Sequence, residues 1–349
     1  MPMVRANPLV AIVLAAGKGT RMKSNRAKVL HEVMAVPMLH YVLQAIAPLQ
    51  PDRTLVIVGH QRDTVEATLA GFGVDCVVQQ QQRGTGDAVL AAEQALTGRD
   101  WSVLILCGDT PLIRPRTLTD MYHAHQDRGA NVTLMTTLLD NPTNYGRILH
   151  GADGNIIGIV EEKDATAEQR AIREINAGIY LADSRFLFRA LHQVGTDNSQ
   201  GEVYLTDIIS RAVADGLNVH GFTAPHPGDV LGVNSRVELA EAHRELQARR
   251  NRDLMLQGVT MLSPETTFVS LDAVIGEDTV LQPGTQIRGA TRIGRFCHIE
   301  PGVILDNCLL DDEVRVGAYS CLSDCRLETR AVIAPHTTVS GSGECTPCR

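Results

Sequence analysis

The sequence has few aromatic residues, which make up 4% of its 349 positions and include a single tryptophan, Trp101. A core of this composition must be aliphatic and rich in small residues, which suits parallel sheets and solenoids. Long apolar runs are also missing, since the stretch from Leu9 to Ala16 is too short to cross a bilayer. No charged segment with a cleavage site precedes that stretch, so we predict neither a membrane helix nor a signal peptide, and a cytoplasmic location.

An excess of positive charge is lacking as well. The 32 Lys and Arg residues against 40 Asp and Glu leave a net charge of −8, which argues against nucleic acid as the main partner but allows a local basic pocket. The eight cysteines are too sparse for a disulfide framework, so we expect reduced thiols. Cys345 and Cys348 lack the second pair of a zinc site, unless Cys321 and Cys325 supply it, and we interpret them as incidental thiols.

Length and a hydrophobic content of 44% predict about two domains. Up to about Gly232, short aliphatic runs alternate with amphipathic stretches, which predicts a Rossmann-like α/β domain with a mostly parallel sheet and helices on both faces. Ligands of such sheets bind beyond the carboxyl ends of the strands. The predicted strands are 9–14, 55–58, 74–78, 103–106 and 132–135, and the predicted helices are 38–49, 64–71, 87–96 and 117–128.

Residues 235–257 contain no Gly or Pro and place apolar residues at helical spacing. We predict one long linking helix here; a terminal helix of the first domain is the alternative. The boundaries that follow are a first domain at 1–234, the linking helix at 235–257, a second domain at 258–340 and a disordered tail at 341–349.

After Gly258 an apolar residue recurs every six positions, and the repeat slips by one residue twice. This period predicts a parallel β-helix of hexapeptide repeats with three short strands per turn and about four turns, whereas a β-sandwich would alternate with period two. The predicted inward residues are Val269, Ile275, Leu281, Ile287, Ile293, Ile299, Leu305, Leu310, Val316, Leu322, Leu327, Ile333 and Val339. Small or apolar partners follow the first seven after four residues: Ala273, Thr279, Thr285, Thr291, Cys297, Val303 and Leu309.

The first strand is followed by a Gly-rich turn, Leu14-Ala15-Ala16-Gly17-Lys18-Gly19-Thr20-Arg21-Met22. Glycines let backbone N–H groups approach phosphate oxygens, but the turn matches neither a Walker loop nor a dinucleotide fingerprint. Arg21 and Lys28 add two cations that could neutralise a phosphate chain. A tight turn with solvated cations is the alternative.

Polar residues follow other predicted strands. Asp109, in Cys107-Gly108-Asp109-Thr110-Pro111, stands at a strand's carboxyl end, where it is either a Mg²⁺ ligand or the cap of the next helix. Gln79 and the turn Arg83-Gly84-Thr85-Gly86 offer an amide and a backbone to a nucleobase, or simply cap a helix. Asn234 is either a neutral metal ligand or part of a helix N-cap.

Three further patterns place Gly, Glu or Asn beside probable strands, where they could bind sugar hydroxyls and an acetamido group. They are 144–148 with Gly146, 160–164 with Glu161 and 174–178 with Asn176. The set LAAGKGTRM, KVLH, QQRGTGDA, GDTPL, YGRI, EEKDA and EINAGIY closely resembles bacterial N-acetylglucosamine-1-phosphate uridylyltransferase, normally one half of a bifunctional enzyme that also acetylates glucosamine 1-phosphate. The resemblance spans residues from about 9 to about 340.

The resemblance implies a Mg²⁺-dependent transfer from UTP to N-acetylglucosamine 1-phosphate, for peptidoglycan and lipopolysaccharide precursors, and a left-handed β-helix that forms a homotrimer. It assigns Arg21 and Lys28 to catalysis, and Asp109 and Asn234 to Mg²⁺. The residues implied to bind the sugar are Gly146, Glu161, Asn176 and Asn234. Those implied to bind the nucleotide are Leu14, Ala15, Ala16, Gly17, Lys28, Gln79, Gly84, Thr85, Cys107, Gly108 and Asp109.

The chain departs from the family pattern in three ways. Ala27 replaces the usual Pro, and Cys107 replaces a frequent Tyr. In the family the β-helix continues for many more coils, which carry the acetyltransferase residues, so we expect the β-helix at 258–340 to be truncated and most of the acetyltransferase domain to be lacking. No lysine follows Lys163, so the family's cationic acetyl-CoA pocket has no counterpart, and His336 is predicted to be a surface turn residue. We therefore expect no acetyltransferase activity. Two alternatives remain: a related sugar nucleotidyltransferase with another base or hexose, and a non-catalytic regulatory or scaffold subunit.

Overall fold

A computed structural model describes residues 7–341 of the protein. The chain forms two compact units, one comprising residues up to Glu32 together with Val36–Leu239, and the other comprising Val33–Ala35 with the residues from Ala240 onward. Nearly all of the tail predicted to be disordered at 341–349, including Cys345 and Cys348, lies outside the described residues.

The first unit is built on a mixed sheet with strand order β11-β7-β10-β6-β1-β4-β5, to which β8 and β9 attach as a hairpin beside β10. The fold predicted from the alternating strands and helices is confirmed, and β1 has the predicted bounds. The strands of this sheet are β1 Leu9–Leu14, β4 Arg53–Val58, β5 Asp75–Val78, β6 Ser102–Cys107, β7 Val132–Leu138, β8 Arg147–His150, β9 Ile156–Val160, β10 Glu174–Asp183 and β11 Val219–Thr223. Two short strands, β2 Glu32–Val33 and β3 Val36–Pro37, form a separate two-stranded sheet.

Within residues 7–341, seven α-helices belong to the first unit, and most of an eighth belongs to the second. They are α1 Met38–Ile46, α2 Arg62–Thr68, α3 Thr85–Leu90, α4 Pro115–Asp127, α5 Ala167–Arg170, α6 Ser184–Leu191, α7 Asp207–Ala214 and α8 Arg236–Leu256. Two predicted helices are shorter than expected. The one predicted at 38–49 ends at Ile46 and continues as a 3-10 turn that contains Pro48, which has no N–H for an α-helical bond. The one predicted at 87–96 becomes α3, with a separate 3-10 turn at Glu93–Leu96.

Strand β1 is buried on both faces. Leu9, Ala11 and Val13 pack into one apolar cluster, whereas Val10 and Ile12 pack into a second one on the other face. Its neighbours β4 and β6 run parallel to it, and β5 runs parallel to β4. The carboxyl ends of these four strands therefore meet at one edge of the sheet.

Strand β10 is the exception, because it runs antiparallel to both β6 and β7. The beginning of β10, rather than its end, therefore lies at the edge where β6 ends. Its register is irregular between Asn176 and Tyr180, and Gly178 within that stretch has a φ of 73°. The alternation of strands and helices in the sequence did not predict this reversal.

The second unit contains the predicted β-helix. Within the described residues, its short strands stack in parallel into two sheets of five strands and one of four. The strands are β12 Thr260–Met261, β13 Phe268–Val269, β14 Val274–Ile275, β15 Val280–Leu281, β16 Gln286–Arg288, β17 Arg292–Ile293, β18 His298–Ile299, β19 Ile304–Asp306, β20 Leu309–Leu310, β21 Arg315–Val316, β22 Cys321–Ser323, β23 Arg326–Leu327, β24 Val332–Ile333 and β25 Thr338–Ser340.

The predicted inward residues form the core of this unit, with Val339 only partly buried. One predicted partner was wrong: Leu309 is 42% exposed, and Cys308 is fully buried in its place. The cause is the one-residue slip, since Ile293 stacks on Leu310 across 17 positions instead of 18. His336 is exposed at a turn and stacks on Tyr319, as predicted for a surface residue.

No helix within residues 7–341 is both long enough and apolar enough to span a membrane.

Candidate functional site

A cleft of about 440 Å³ opens at the carboxyl edge of the first unit's sheet. All but one of the residues predicted to bind the nucleotide line it. Gly108 is the exception, and its N–H donates to the carbonyl of Leu14 at 2.9 Å, which ties the ends of β6 and β1 together. The predicted residues in the lining are Leu14, Ala15, Ala16, Gly17, Arg21, Lys28, Gln79, Gly84, Thr85, Cys107, Asp109 and Asn234.

The Gly-rich turn packs tightly against Lys28. A Cβ atom on Gly19 would lie 2.5 Å from the Cβ of Lys28, and Gly19 has a φ of 62°. Only glycine meets both conditions without strain. The turn is also held from the other side, because the amide of Gln82 donates to the carbonyl of Ala16 at 2.7 Å. Gln82 belongs to the motif QQRGTGDA, but the sequence analysis assigned its side chain no role.

The predicted cations and the predicted metal ligands meet in one group. The ammonium of Lys28 donates to the side-chain carbonyl of Asn234 at 2.6 Å and also pairs with the carboxylate of Asp109. Arg21 donates to the same Asn234 oxygen at 2.8 Å. Lys28 and Asp109 are largely buried, with side-chain exposures of 14% and 18%, so water screens their attraction only partly.

Asn234 is held in place by the start of α8. The carboxylate of Glu238 accepts the backbone N–H groups of Asn234 and Ser235 at 2.5 and 2.7 Å, while the N–H of Glu238 donates to the hydroxyl of Ser235 at 3.3 Å. This is a capping box, a signature that the sequence pattern Ser-x-x-Glu contains. The backbone of Asn234 takes part in the helix cap, while its side-chain oxygen faces Lys28. The N-cap and the metal-ligand interpretations of Asn234 are therefore compatible.

The residues present fit a divalent cation. An anionic oxygen of Asp109 and a neutral oxygen of Asn234 converge on a single positively charged atom, the Nζ of Lys28. Such oxygens are typical ligands of hard cations, which take their remaining ligands from phosphate and water. No cluster of three or more His, Cys, Asp or Glu residues able to hold a metal occurs in the described part of the chain.

Gln79 lies at the base of the turn that follows β5. Its side chain is buried, and its amide nitrogen donates to the carbonyl of Gly84 at 3.3 Å and to the carboxylate of Asp87 at 2.8 Å. Gly84 has a φ of 113°, and a Cβ atom there would lie 2.6 Å from the carbonyl of Val203. Because the amide nitrogen is engaged, the carbonyl oxygen is the atom that Gln79 can offer to a ligand.

Three predicted sugar-binding residues form a second group. Gly146 precedes β8, Glu161 follows β9 and Asn176 lies in β10. The N–H of Asn176 donates to the carbonyl of Gly146 at 2.9 Å, and a Cβ atom on Gly146 would lie 3.5 Å from both carboxylate oxygens of Glu161. Asn234, the fourth predicted member, lies instead with Lys28 and Arg21.

The segment from Glu202 to Thr206 contacts Thr85, which is predicted to bind the nucleotide, and Glu161, which is predicted to bind the sugar. The N–H of Leu205 donates to the hydroxyl of Thr85 at 3.1 Å, and the hydroxyl of Thr206 donates to Glu161 at 3.1 Å. Glu202 itself lines the cleft. Sequence reasoning missed this segment, since no Gly-rich turn or strand end marks it.

Burial controls the ionisation of two groups in this region. It raises the pKa of the Glu161 carboxyl, and the nearby carboxylates of Asp207, Asp164 and Glu202 raise it further, although the hydroxyl of Thr206 acts in the opposite direction. Burial and the charge of Asp109 also raise the pKa of the Cys107 thiol, to about 12. Cys107 is therefore a neutral thiol near pH 7 rather than a nucleophile.

Comparison with known proteins accounts for both units. Residues 11–204 match the MobA-like NTP transferase domain, and residues 272–307 match the bacterial transferase hexapeptide (six repeats). The Bifunctional protein GlmU of Desulfotalea psychrophila is 51% identical over 323 residues, which cover 93% of this chain and 95% of that protein.

Two other similar proteins have the same name. The Bifunctional protein GlmU of Geobacter metallireducens is 49% identical over 86% of this chain, and that of Thermobifida fusca is 44% identical over 87%. The match covers 64% of each of these two proteins, so the chain spans just under two thirds of their length. With a nucleotidyltransferase domain followed by hexapeptide repeats, the chain belongs to the GlmU family of sugar-phosphate uridylyltransferases.

Proposed function

We propose that this protein transfers the uridylyl group of UTP to N-acetylglucosamine 1-phosphate, and that it releases pyrophosphate and UDP-N-acetylglucosamine for peptidoglycan and lipopolysaccharide synthesis. The observation that carries the proposal is the convergence of Lys28, Arg21, Asp109 and Asn234 in a single cleft. A scaffold subunit would have little physical need to keep two cations and two metal-ligand oxygens together.

Selection of uracil rests on Gln79. With its nitrogen bound to Gly84 and Asp87, the side chain presents a carbonyl oxygen, which accepts a hydrogen bond. Uracil offers an N–H at its N3 position, whereas cytosine has an acceptor there. Gly84 and Thr85 lie beside Gln79 in the cleft and are the residues proposed to hold the base and ribose.

The sugar is proposed to bind Gly146, Glu161 and Asn176. A carboxylate accepts hydrogen bonds from hydroxyls, and an amide can both donate and accept, which suits an acetamido group. The hydroxyl of Thr206 donates to one carboxylate oxygen of Glu161 at 3.1 Å, and a sugar hydroxyl is proposed to donate to the other.

The reaction needs no protein nucleophile. A phosphate oxygen of the sugar phosphate forms a bond to the α-phosphorus of UTP, and the bond to the bridging oxygen breaks as pyrophosphate leaves with the electron pair. Arg21 and Lys28 would stabilise the negative charge on the phosphate oxygens of UTP and the sugar phosphate. The backbone of the Gly-rich turn would align those phosphates. Cys107 takes no part as a base or nucleophile, because burial keeps its thiol protonated.

Nucleotidyltransferases of this family need a divalent metal. We propose that it is Mg²⁺ and that Asp109 and Asn234 hold it, because their oxygens already converge on a cationic atom. When bound, Mg²⁺ would offset the charge of the phosphate oxygens.

A pyrophosphate-release assay tests the proposal. We expect UTP with N-acetylglucosamine 1-phosphate to give faster turnover than any pairing with ATP, GTP, CTP or another hexose 1-phosphate. Preference for another pair would favour a related nucleotidyltransferase, and no turnover with any pair would favour a scaffold subunit.

Three further properties are proposals drawn from the family. We propose a homotrimer formed through the β-helix, which light scattering would refute by showing a monomer. We propose a cytoplasmic location, because the proposed substrates are intracellular. Because no lysine follows Lys163, we also propose that these 349 residues do not acetylate glucosamine 1-phosphate.

A further inference from the structure

Arg147 is a fully buried charged residue in a motif that the reaction leaves without a role. Its side chain is 1% exposed, and it is the largest fully buried side chain among the described residues. The guanidinium donates to the carboxylate of Glu162 at 2.6 Å, to the carbonyl of Arg170 at 3.3 Å and to the carbonyl of Tyr145. Its Nε atom is buried without a hydrogen-bond partner.

Two of these contacts, with Tyr145 and Glu162, adjoin residues proposed to bind the sugar. Arg147 follows Gly146 in the chain, and Glu162 follows Glu161. Across the sheet, Arg147 pairs with Ile175, the neighbour of Asn176. Residue 147 is thus next, along the chain or across the sheet, to two of the positions proposed to bind the sugar, its guanidinium holds the neighbour of the third, and its side chain does not line the cleft.

The chemistry of the ion pair between Arg147 and Glu162 favours a role in positioning neighbouring residues. Burying a charge costs free energy that its ion pair often fails to recover, and an apolar side chain of similar volume would fill the same space at less cost. A guanidinium instead offers donors in a rigid planar fork, which can hold several acceptors at set positions. Here it binds a carbonyl just before Gly146 and the carboxylate just after Glu161.

We propose that Arg147, together with Glu162, is a positioning residue that sets the spacing of Gly146, Glu161 and Asn176 and so determines affinity for the sugar phosphate. This inference rests on the proposed function of that group. Arg147 itself is not proposed to contact the substrate.

The test compares three variants with a matched control. Glu162→Gln keeps an acceptor but removes the charge, Arg147→Lys keeps the charge but removes the planar fork, and Arg147→Met removes both. Arg173→Ala is the control, because Arg173 belongs to an exposed pair with Asp140 on a nearby segment. Each variant is checked for folding by urea unfolding, and KM and kcat are measured for each substrate separately.

We expect Glu162→Gln and Arg147→Lys to raise KM for the sugar phosphate by about tenfold, the size expected when a charged hydrogen bond is lost. KM for UTP and kcat should stay within about twofold, which a general loss of structure would not produce. The protection of the protein against heat by sugar phosphate alone should fall in parallel, while protection by UTP with Mg²⁺ persists. Arg173→Ala should behave as wild type.

The proposal is overturned when folded Glu162→Gln and Arg147→Lys keep wild-type KM for the sugar phosphate, or when KM for both substrates rises equally. If Arg147→Met does not fold, the results for Glu162→Gln and Arg147→Lys decide between the two outcomes. The wild-type assay comes first and tests the proposed function on its own. If another hexose 1-phosphate proves to be the substrate, the same series is run with that compound.

Discussion

The ammonium of Lys28 lies 2.6 Å from the side-chain oxygen of Asn234, although 206 positions separate the two residues in the chain. The same ammonium pairs with Asp109 at the end of β6. Three distant segments therefore supply one charged group, and each of them can be altered separately.

Replacing Arg21 should slow the chemical step. Arg21 is exposed and donates to Asn234, so Arg21→Ala removes a cation from the cleft without disturbing the core. We expect kcat to fall by about 100-fold, with a smaller rise in KM for the sugar phosphate, as for loss of one preorganised donor. Arg26→Ala is the control, since Arg26 pairs with Glu32 at the surface. An unchanged kcat for Arg21→Ala in steady-state kinetics would remove Arg21 from catalysis.

Activity should require the divalent cation at Asp109. EDTA should abolish pyrophosphate release, and added Mg²⁺ should restore it. Asp109→Asn removes the anionic oxygen, so Mn²⁺ affinity measured by electron paramagnetic resonance should fall by at least about tenfold. Asp120→Asn, a change on the exposed face of α4, should leave it unaltered. Wild-type Mn²⁺ binding by Asp109→Asn would contradict the proposed site.

The raised pKa of Glu161 predicts a pH dependence of stability. A carboxyl whose pKa is higher in the folded chain stabilises fully below its unfolded pKa, and this contribution is lost as pH rises through the folded value. Glu161→Gln removes that loss, so the variant should lose less stability than wild type between acid and neutral pH. Urea unfolding across that range measures it, with exposed Glu168→Gln as control. Parallel profiles for wild type and Glu161→Gln would refute this prediction.

Two adjacent leucines in β20 should differ sharply in their effect on stability. Leu310 is 4% exposed and Leu309 is 42% exposed. Leu310→Ala should lower the free energy of unfolding by about 3 kcal/mol, because it leaves a cavity in the β-helix core. Leu309→Ala should cost less than about 0.5 kcal/mol as a surface change. Equal losses of unfolding free energy for the two variants, measured by denaturant unfolding, would mean that Leu310 does not point into the β-helix core while Leu309 points outward.

The chain should not release CoA from acetyl-CoA and glucosamine 1-phosphate. The expectation rests on residues 164–349, which contain no lysine and so supply none of the lysines of the family's acetyl-CoA pocket. A thiol-detecting assay measures CoA, with pyrophosphate release by the same sample as proof that the protein is active. Steady CoA release dependent on the sugar phosphate would show that the prediction is wrong.

Local patterns in the sequence were sufficient for much of the fold. The run from Leu9 to Leu14 predicted β1 with its correct bounds, and the six-residue period predicted the β-helix, because both depend on which neighbouring side chains are apolar. The Gly-rich turn was also recognisable in the sequence. The structure gives the reason for its glycine, because the φ of Gly19 and its contact with Lys28 leave no room for a side chain. The ends of the parallel strands indicated which edge of the sheet binds ligands, whereas the individual residues of the cleft came from the resemblance to the family.

Tertiary structure decided what no local pattern contains. The direction of β10 depends on its pairing with β6 and β7, and that direction carries Asn176 to the edge where β6 ends. The burial of Arg147 depends on three segments that close around it, so its sequence neighbours gave no sign of it. The sequence by itself determined which elements form and which chemistry the chain can offer. The packing of distant segments determined which of those groups meet, because a contact such as that of Lys28 with Asn234 exists only once the sheet has assembled.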